Sequence, residues 1–251
     1  MRTGLQPPIT FEHGIGFTRV GSTHVTASEA EAPPRYDPYL IVHKGLRALM
    51  FETLQRVGRM DPDDDEDTAQ ALARLRELVS LAGTHLHHED LFVHPAMEAR
   101  APGSTGHAVA GHHSHREALA ALLDGCVRVE ESSGRGRAAA ALALYRSLAL
   151  FVAEDLEHMH VEETENNAVL WATHSDAELM ALVQRLVASI DPATNAIFSR
   201  WMVAASTPAE RATLLRGARQ AMPSAAFDAM LRGVTQRLDA RDRVKLAEAL
   251  M

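Results

Sequence analysis

A single cysteine, Cys126, leaves the chain without an internal disulfide and disfavours structural zinc, which prefers cysteine ligands in a closed tetrahedron. Positive charge is short as well. Lysine and arginine number 25 against 33 acidic residues, a net charge of −8, which argues against a nucleic-acid partner and against docking on an anionic membrane. No apolar run approaches the roughly 20 residues that span a bilayer. The opening residues, MRTGLQPPITFEHG, lack the charged-then-apolar layout of a secretion signal, so a reducing cytoplasm is the expected compartment. Aromatic residues make up only 5%, and alternating Val/Ile/Thr-rich stretches are missing, so no sheet is expected. Alanine and leucine dominate instead, which favours helices.

Histidine, by contrast, is in excess. The chain has fourteen, most of them bunched into short stretches, and such bunching makes metal binding the first chemistry to consider.

The periodicity divides 251 residues into three parts. Residues 1–35 hold Pro7, Pro8, Pro33 and Pro34 without sustained periodicity and read as an arm. Residues 36–172 read as four long amphipathic helices in an antiparallel bundle. The first starts at Asp37-Pro38 and carries Leu46, Met50, Leu54 and Val57. The second follows the acidic run 61–67, shows Leu75, Leu78 and Leu81, and reaches about Pro95. The third runs from about His107 to Val129 and the fourth over about 138–170, with a flexible connection, ESSGRGR, between them. Residues 173–251 read as shorter helices, with capping boxes at Ser175/Glu178 and Thr207/Glu210 and a further start at Asp191-Pro192. The expectation is an all-α chain: a four-helix bundle plus additional short C-terminal helices. No internal repeat is evident.

Two of the long helices carry the same pair. His85 is followed four residues later by Glu89, and His158 four residues later by Glu162. Residues four apart project from one helix face on successive turns, about 5.4 Å apart. A histidine can therefore bind one metal while the carboxylate a turn away bridges to a second. Both pairs also continue an apolar stripe, Leu78–Leu81–His85–Glu89–Phe92 and Leu148–Phe151–Asp155–His158–Glu162. Histidine and glutamate on a core face are costly to bury unless something satisfies them, and a metal cluster satisfies both. His43 lies on the stripe of the first helix. In the third, His112 and His115 continue through Leu119, Leu122 and Cys126, whereas His113 points roughly 100° away from His112. The expected ligands are His43, His85, Glu89, His112, His115, His158 and Glu162. Tyr39, Asp155 and Glu165 are expected to support them, while His87, His88, His94 and His160 are expected to be solvated or to hydrogen-bond the carboxylates. The acidic run lacks the glycine and terminal glutamate of a calcium loop. Met50 and Met97 fit core packing better than copper ligation.

In the segments VHKGLR (42–47), HLHHEDLFVHP (85–95), GHHSHREAL (111–119) and EHMHVEE (157–163), the chain resembles the hemerythrin-like proteins with an HHE cation-binding domain. The resemblance covers about 36–170. It implies a four-helix bundle with two non-haem iron ions joined by an oxo or hydroxo bridge, used to bind dioxygen or to sense oxygen or redox state. His43, His85, His112 and His158 would take the iron-binding positions and Glu89 and Glu162 the bridging ones. Imidazole and carboxylate suit manganese too. Five imidazoles with two bridging carboxylates would leave one position for dioxygen. Four imidazoles would leave more, favouring an oxidase or peroxidase acting on a small substrate or peroxide. The C-terminal helices, with Trp201, Met202, Met222, Phe227 and Met230, would complete the core or pair two copies as a homodimer.

Overall fold

The structure, a computed structural model, describes residues 35–251; all but the last residue of the expected arm lies outside them. The described residues are helical, and no strand occurs among them. Helix α1 spans Leu40–Gly58. Helix α2 (Asp65–His88) passes through a π-helical turn, Glu89–Val93, into α3 (His94–Arg100). Helix α4 spans Gly106–Glu131. Helix α5 (Gly134–Val161) likewise passes through a π-turn, Glu162–Asn166, into α6 (Asn167–Thr173). Five shorter helices follow: α7 (Asp176–Ser189), α8 (Pro192–Ala205), α9 (Pro208–Ala221), α10 (Ser224–Thr235) and α11 (Ala240–Leu250).

Local chemistry explains most of these boundaries. The Asp37 carboxylate accepts from the backbone N–H groups of Tyr39 and Leu40 and so starts α1. Asp64 caps α2 at the N–H groups of Glu66 and Asp67, and three acidic residues follow in its first turn, where the helix dipole favours them. Both expected capping boxes are present, at Ser175/Glu178 and Thr207/Glu210, and Asp191 caps α8. Two boundaries differ from expectation. The second rod does not stop near Pro95 but runs to Arg100, because the wide turn before Pro95 absorbs the N–H that proline lacks and the crowding of its ring. The connection before α5 shrinks to Ser132 and Ser133. There Arg137 is tied to the Ser132 carbonyl and the Asp65 carboxylate, and Gly134 takes a positive φ of 49°.

Helix α1 packs on α2, α5 and α8; α2 packs on α4, and α4 on α5. Their facing stripes form one apolar core, with Leu49, Leu72, Leu75, Leu78, Leu122 and Leu148 buried. Met50 and Met97 are buried as packing residues, as the sequence suggested. A second apolar cluster joins Leu215, Phe227, Val234 and Leu246 among the C-terminal helices. A third, with Tyr39, Val93, Met97, Leu170 and Leu179, lies around the two π-turns.

One expectation is corrected. The continuous helix over Gly134–Thr173 contains an 18-residue window of mean hydropathy 1.3, long and apolar enough to cross a membrane by length and composition. Scattered Arg and Glu residues interrupt its apolar runs, so counting uninterrupted runs missed it, whereas averaging over the window does not. The same helix carries core residues and the His158–Glu162 pair.

Candidate metal centre

His43, His112, Glu89 and Glu162 are almost completely buried and come from four different rods. The oxygens of the two carboxylates divide between two sets of imidazoles. Glu89 turns Oε1 to His85 Nε2 (3.3 Å) and Oε2 to His112 Nε2 (3.4 Å). Glu162 turns Oε2 to His43 Nε2 (3.4 Å), and Oε1 to His158 Nε2 (3.1 Å) and His112 Nε2 (3.5 Å). Two positions result at these carboxylates, and a third group, Asp90, His94 and His112, gathers on the far side of the His112 ring. At the first, ligand atoms of His43, His85, Glu89 and Glu162 lie within 4.8 Å of one another; at the second, those of His112, His158 and Glu162 do so. Glu89 Oε2 adds a fourth donor to the second position through its approach to His112.

The far sides of the rings set the tautomers. Glu163 accepts from His43 Nδ1 at 3.0 Å and is itself clamped by both Arg47 guanidinium nitrogens. Asp90 accepts from His112 Nδ1 at 2.8 Å and pairs with Arg116. Burial alone would raise the Glu163 carboxyl, but His43 and Arg47 hold it down at about 2, and Asp90 is likewise lowered by His112 and Arg116. Both acids are therefore ionised acceptors, so each neutral ring carries its proton on Nδ1 and aims an Nε2 lone pair inward. Lone pairs then face carboxylate oxygens. Both oxygens of Glu89, Oε2 of Glu162 and Nε2 of His158 have no hydrogen-bond partner. Buried acceptors facing one another are unfavourable unless a cation or a proton stands between them. Without metal the protons serve. Burial lowers His43 and His112, but the surrounding carboxylates more than reverse this, to about 9 and about 10. Burial raises Glu89 to about 7, with the nearby Glu162 charge adding to the effect. The donor set could hold a metal ion.

The pattern of contacts repeats. His43-x3-Arg47 on α1 matches His112-x3-Arg116 on α4, and His85-x3-Glu89-Asp90 matches His158-x3-Glu162-Glu163. The acid after each of these buried glutamates reaches across to the His/Arg pair of another helix. Asp90, Glu163, Arg47 and Arg116 were missed from sequence, although the doubled His-x3-Arg and His-x3-Glu-acid spacings were the available signal. Close packing also matters, since a methyl group on Gly111 would stand 2.9 Å from His158 Nδ1.

The other expected residues divide. His115 is buried, donates from Nδ1 to the Gly111 carbonyl and lies tilted with its centroid 4.6 Å from that of the His158 ring, but its Nε2 is outside the ligand groups and 3.7 Å from Asp155. Asp155 is buried, with its carboxyl raised by desolvation. Tyr39 lies against the His43 ring (5.2 Å) and accepts from Asn166 Nδ2. Glu165 is exposed and supports nothing at the site. The π-turn turns the chain less per residue than an α-helix, so Asn166 takes the inward place that regular geometry gave Glu165. His113 is exposed, as its angle predicted. His94 is buried 3.1 Å from Asp90 rather than solvated, and His88 is buried with Nδ1 donating to the Thr84 carbonyl.

No family model, curated protein or solved structure matches the chain. Its donors must speak for themselves. If Asp90 and Glu163 orient the imidazoles, Asp90→Asn and Glu163→Gln should each weaken metal binding by roughly 10- to 100-fold in chelator competition, with helix content unchanged. Unaltered affinity in both variants would show that these contacts have no orienting role.

Proposed function

We propose that this chain is a hemerythrin-like di-iron protein that binds dioxygen or senses oxygen or redox state. In this reading α1, α2, α4 and α5 form the antiparallel four-helix bundle; the closed sequence of pairings α1–α2–α4–α5–α1 supports it. The observation that carries the function is the division of Glu89 and Glu162 between two imidazole sets, because a carboxylate whose oxygens face different histidine pairs is built to join two cations.

His43 and His85 would hold one iron, His112 and His158 the other, and Glu89 and Glu162 both. Bound iron would supply one-electron redox chemistry and an affinity for dioxygen. The protein's own residues define the surroundings. Glu163 and Asp90 fix the tautomers of His43 and His112, Tyr39 and Phe151 wall the site with apolar surface, and the buried His115–Asp155 pair flanks the second position. Imidazole is neutral, so a set rich in it donates less negative charge than a carboxylate-rich set, and highly oxidised iron is stabilised less. This favours reversible binding or sensing. A reducing cytoplasm is the compartment proposed.

Purification from iron-supplemented cells is the direct test. Two iron ions per chain are expected, with an absorption spectrum that changes on anaerobic reduction and again on return to air. Fewer than one transition-metal ion per chain after reconstitution with either iron or manganese would overturn the reading.

A second reading is favoured by one observation: His115 Nε2 lies outside the gathered donors. With four imidazoles rather than five, more coordination positions stay open, as a di-iron oxidase or peroxidase acting on a small substrate or peroxide requires. Repeated turnover of peroxide with an added reductant would select this reading, and a single stoichiometric oxidation would select the first.

A further inference from the structure

We propose that the cleft between α2, with its π-turn, and the α7–α8 junction binds a small, neutral aromatic molecule that carries a hydroxyl donor. The inference is independent of the metal centre, because by helix geometry His85 and Glu89 project roughly 150° around α2 from the residues that line the cleft. The cleft measures about 640 Å³, within the range of small-molecule sites, and Ser189, Ile190 and Asp191 close one side of it. Val79, Leu91, Phe92 and Ile190 give it apolar surface, and Leu91 is 54% exposed there. Covering such surface with an apolar body is favourable.

One polar group selects the occupant. His88 lines the cleft yet is only 9% exposed. Its Nδ1 lies 2.7 Å from the Thr84 carbonyl, which can only accept, so in the neutral ring the proton sits on Nδ1 and Nε2 is an acceptor. That Nε2 has no hydrogen-bond partner among the described residues. A largely buried acceptor without a partner is costly, and a ligand O–H supplies the missing donor. The rings around it favour a flat aromatic body over an aliphatic chain. Phe92 lies parallel to His88 within 6°, with centroids 6.3 Å apart, and His87 stands edge-on to it at 83° and 5.5 Å, so both faces and edges are presented. Charge excludes an anion. No lysine or arginine lines the cleft, and its one acidic group, the Asp191 carboxylate, is engaged in capping α8. A phenol, uncharged at neutral pH, meets neither obstacle.

Titrating the full chain, as purified and at neutral pH, with 2-naphthol, 2-methoxynaphthalene and 2-naphthoate tests this by ligand-observed NMR. 2-Naphthol should bind with a Kd on the order of 10⁻⁴ M, ordinary for a ligand of about eleven non-hydrogen atoms. The ether keeps the rings but cannot donate, and the naphthoate carries a negative charge; each should bind about 10-fold more weakly or worse. In His88→Phe the preference for 2-naphthol over its ether should vanish, because a ring remains while the acceptor is gone. Gly83→Leu should abolish binding. Gly83 lines the cleft, and a Cβ there would meet only Leu119 Cδ1 at 3.9 Å, so the added side chain takes up open space without disturbing the helix. Gly83 is no metal ligand, so loss of binding in that variant with unchanged metal content places the ligand in the cleft rather than at the metal centre. Equal binding of 2-naphthol and its ether to the wild-type chain, or tighter binding of the naphthoate, would overturn the proposal. So would a Gly83→Leu chain that binds 2-naphthol as tightly as wild type, or a folded His88→Phe chain that keeps the preference.

Discussion

Replacing Glu162 with alanine should empty both metal positions at once. Its Oε2 faces His43 and its Oε1 faces His158 and His112, so, like Glu89, it faces both imidazole sets, and its own ligand atoms belong to both groups. His85→Ala is the contrasting variant, because His85 faces only Glu89 Oε1 and the His43 ring and so belongs to one position. After reconstitution and desalting, the wild-type chain should carry about two ions, His85→Ala about one and Glu162→Ala close to none, since losing a shared ligand weakens both positions while losing a terminal one weakens its own. Far-UV circular dichroism should show the helices intact in all three. If Glu162→Ala keeps one ion with near wild-type affinity, the carboxylate does not join two cations.

The second large effect is the dependence of stability on metal and pH. The signs follow from the shifted groups. His43 and His112, raised to about 9 and about 10 from 6.5, favour the metal-free fold fully below pH 6.5, and this contribution is lost as pH climbs through 9 and 10. Glu89, raised to about 7 from 4.5, adds a penalty that grows between those values, because the unfolded chain ionises it freely while the buried site does not. Glu162 works the other way: it is held well below 4.5 by its imidazole partners against the effect of burial, so its contribution is present above pH 4.5 and disappears in acid. Burial and the neighbouring His43 hold His85 well below 6.5, a penalty present only below that pH, so the metal-free protein should melt progressively lower from about pH 6.5 towards pH 9. Bound cations replace the protons, so the gain in Tm on adding Fe(II) anaerobically, or Mn(II), should be on the order of 10 °C at pH 8.5 and much smaller at pH 6. A metal-free melting point that holds or rises between pH 6 and pH 9 would contradict the charge arrangement described for the site.

Much of this was legible beforehand, because the relevant physics is local. Asp64, Ser175, Asp191 and Thr207 cap helices through side chains that reach backbone N–H groups two or three residues on, an interaction spelled out within one turn. The pairs His85/Glu89 and His158/Glu162 could be placed on inward faces because 3.6-residue periodicity puts them in line with Leu78, Leu81, Leu148 and Phe151. His113 could be assigned outward by the same geometry.

What remained depended on contacts between rods. Asp90 and Glu163 serve histidines 22 and 120 positions away in the chain. The fate of His115 turned on where Asp155 and His158 stand relative to it. Glu165 was displaced from the interior by a π-turn that hydrophobic periodicity does not announce. By itself, then, the sequence determined which residues lie on helices and which faces turn inward, since helix geometry relates near neighbours. Only the tertiary structure decided which oxygen meets which imidazole, because ångström-scale ligand distances depend on the rotation and spacing of separate helices, and these are set by how their side chains pack.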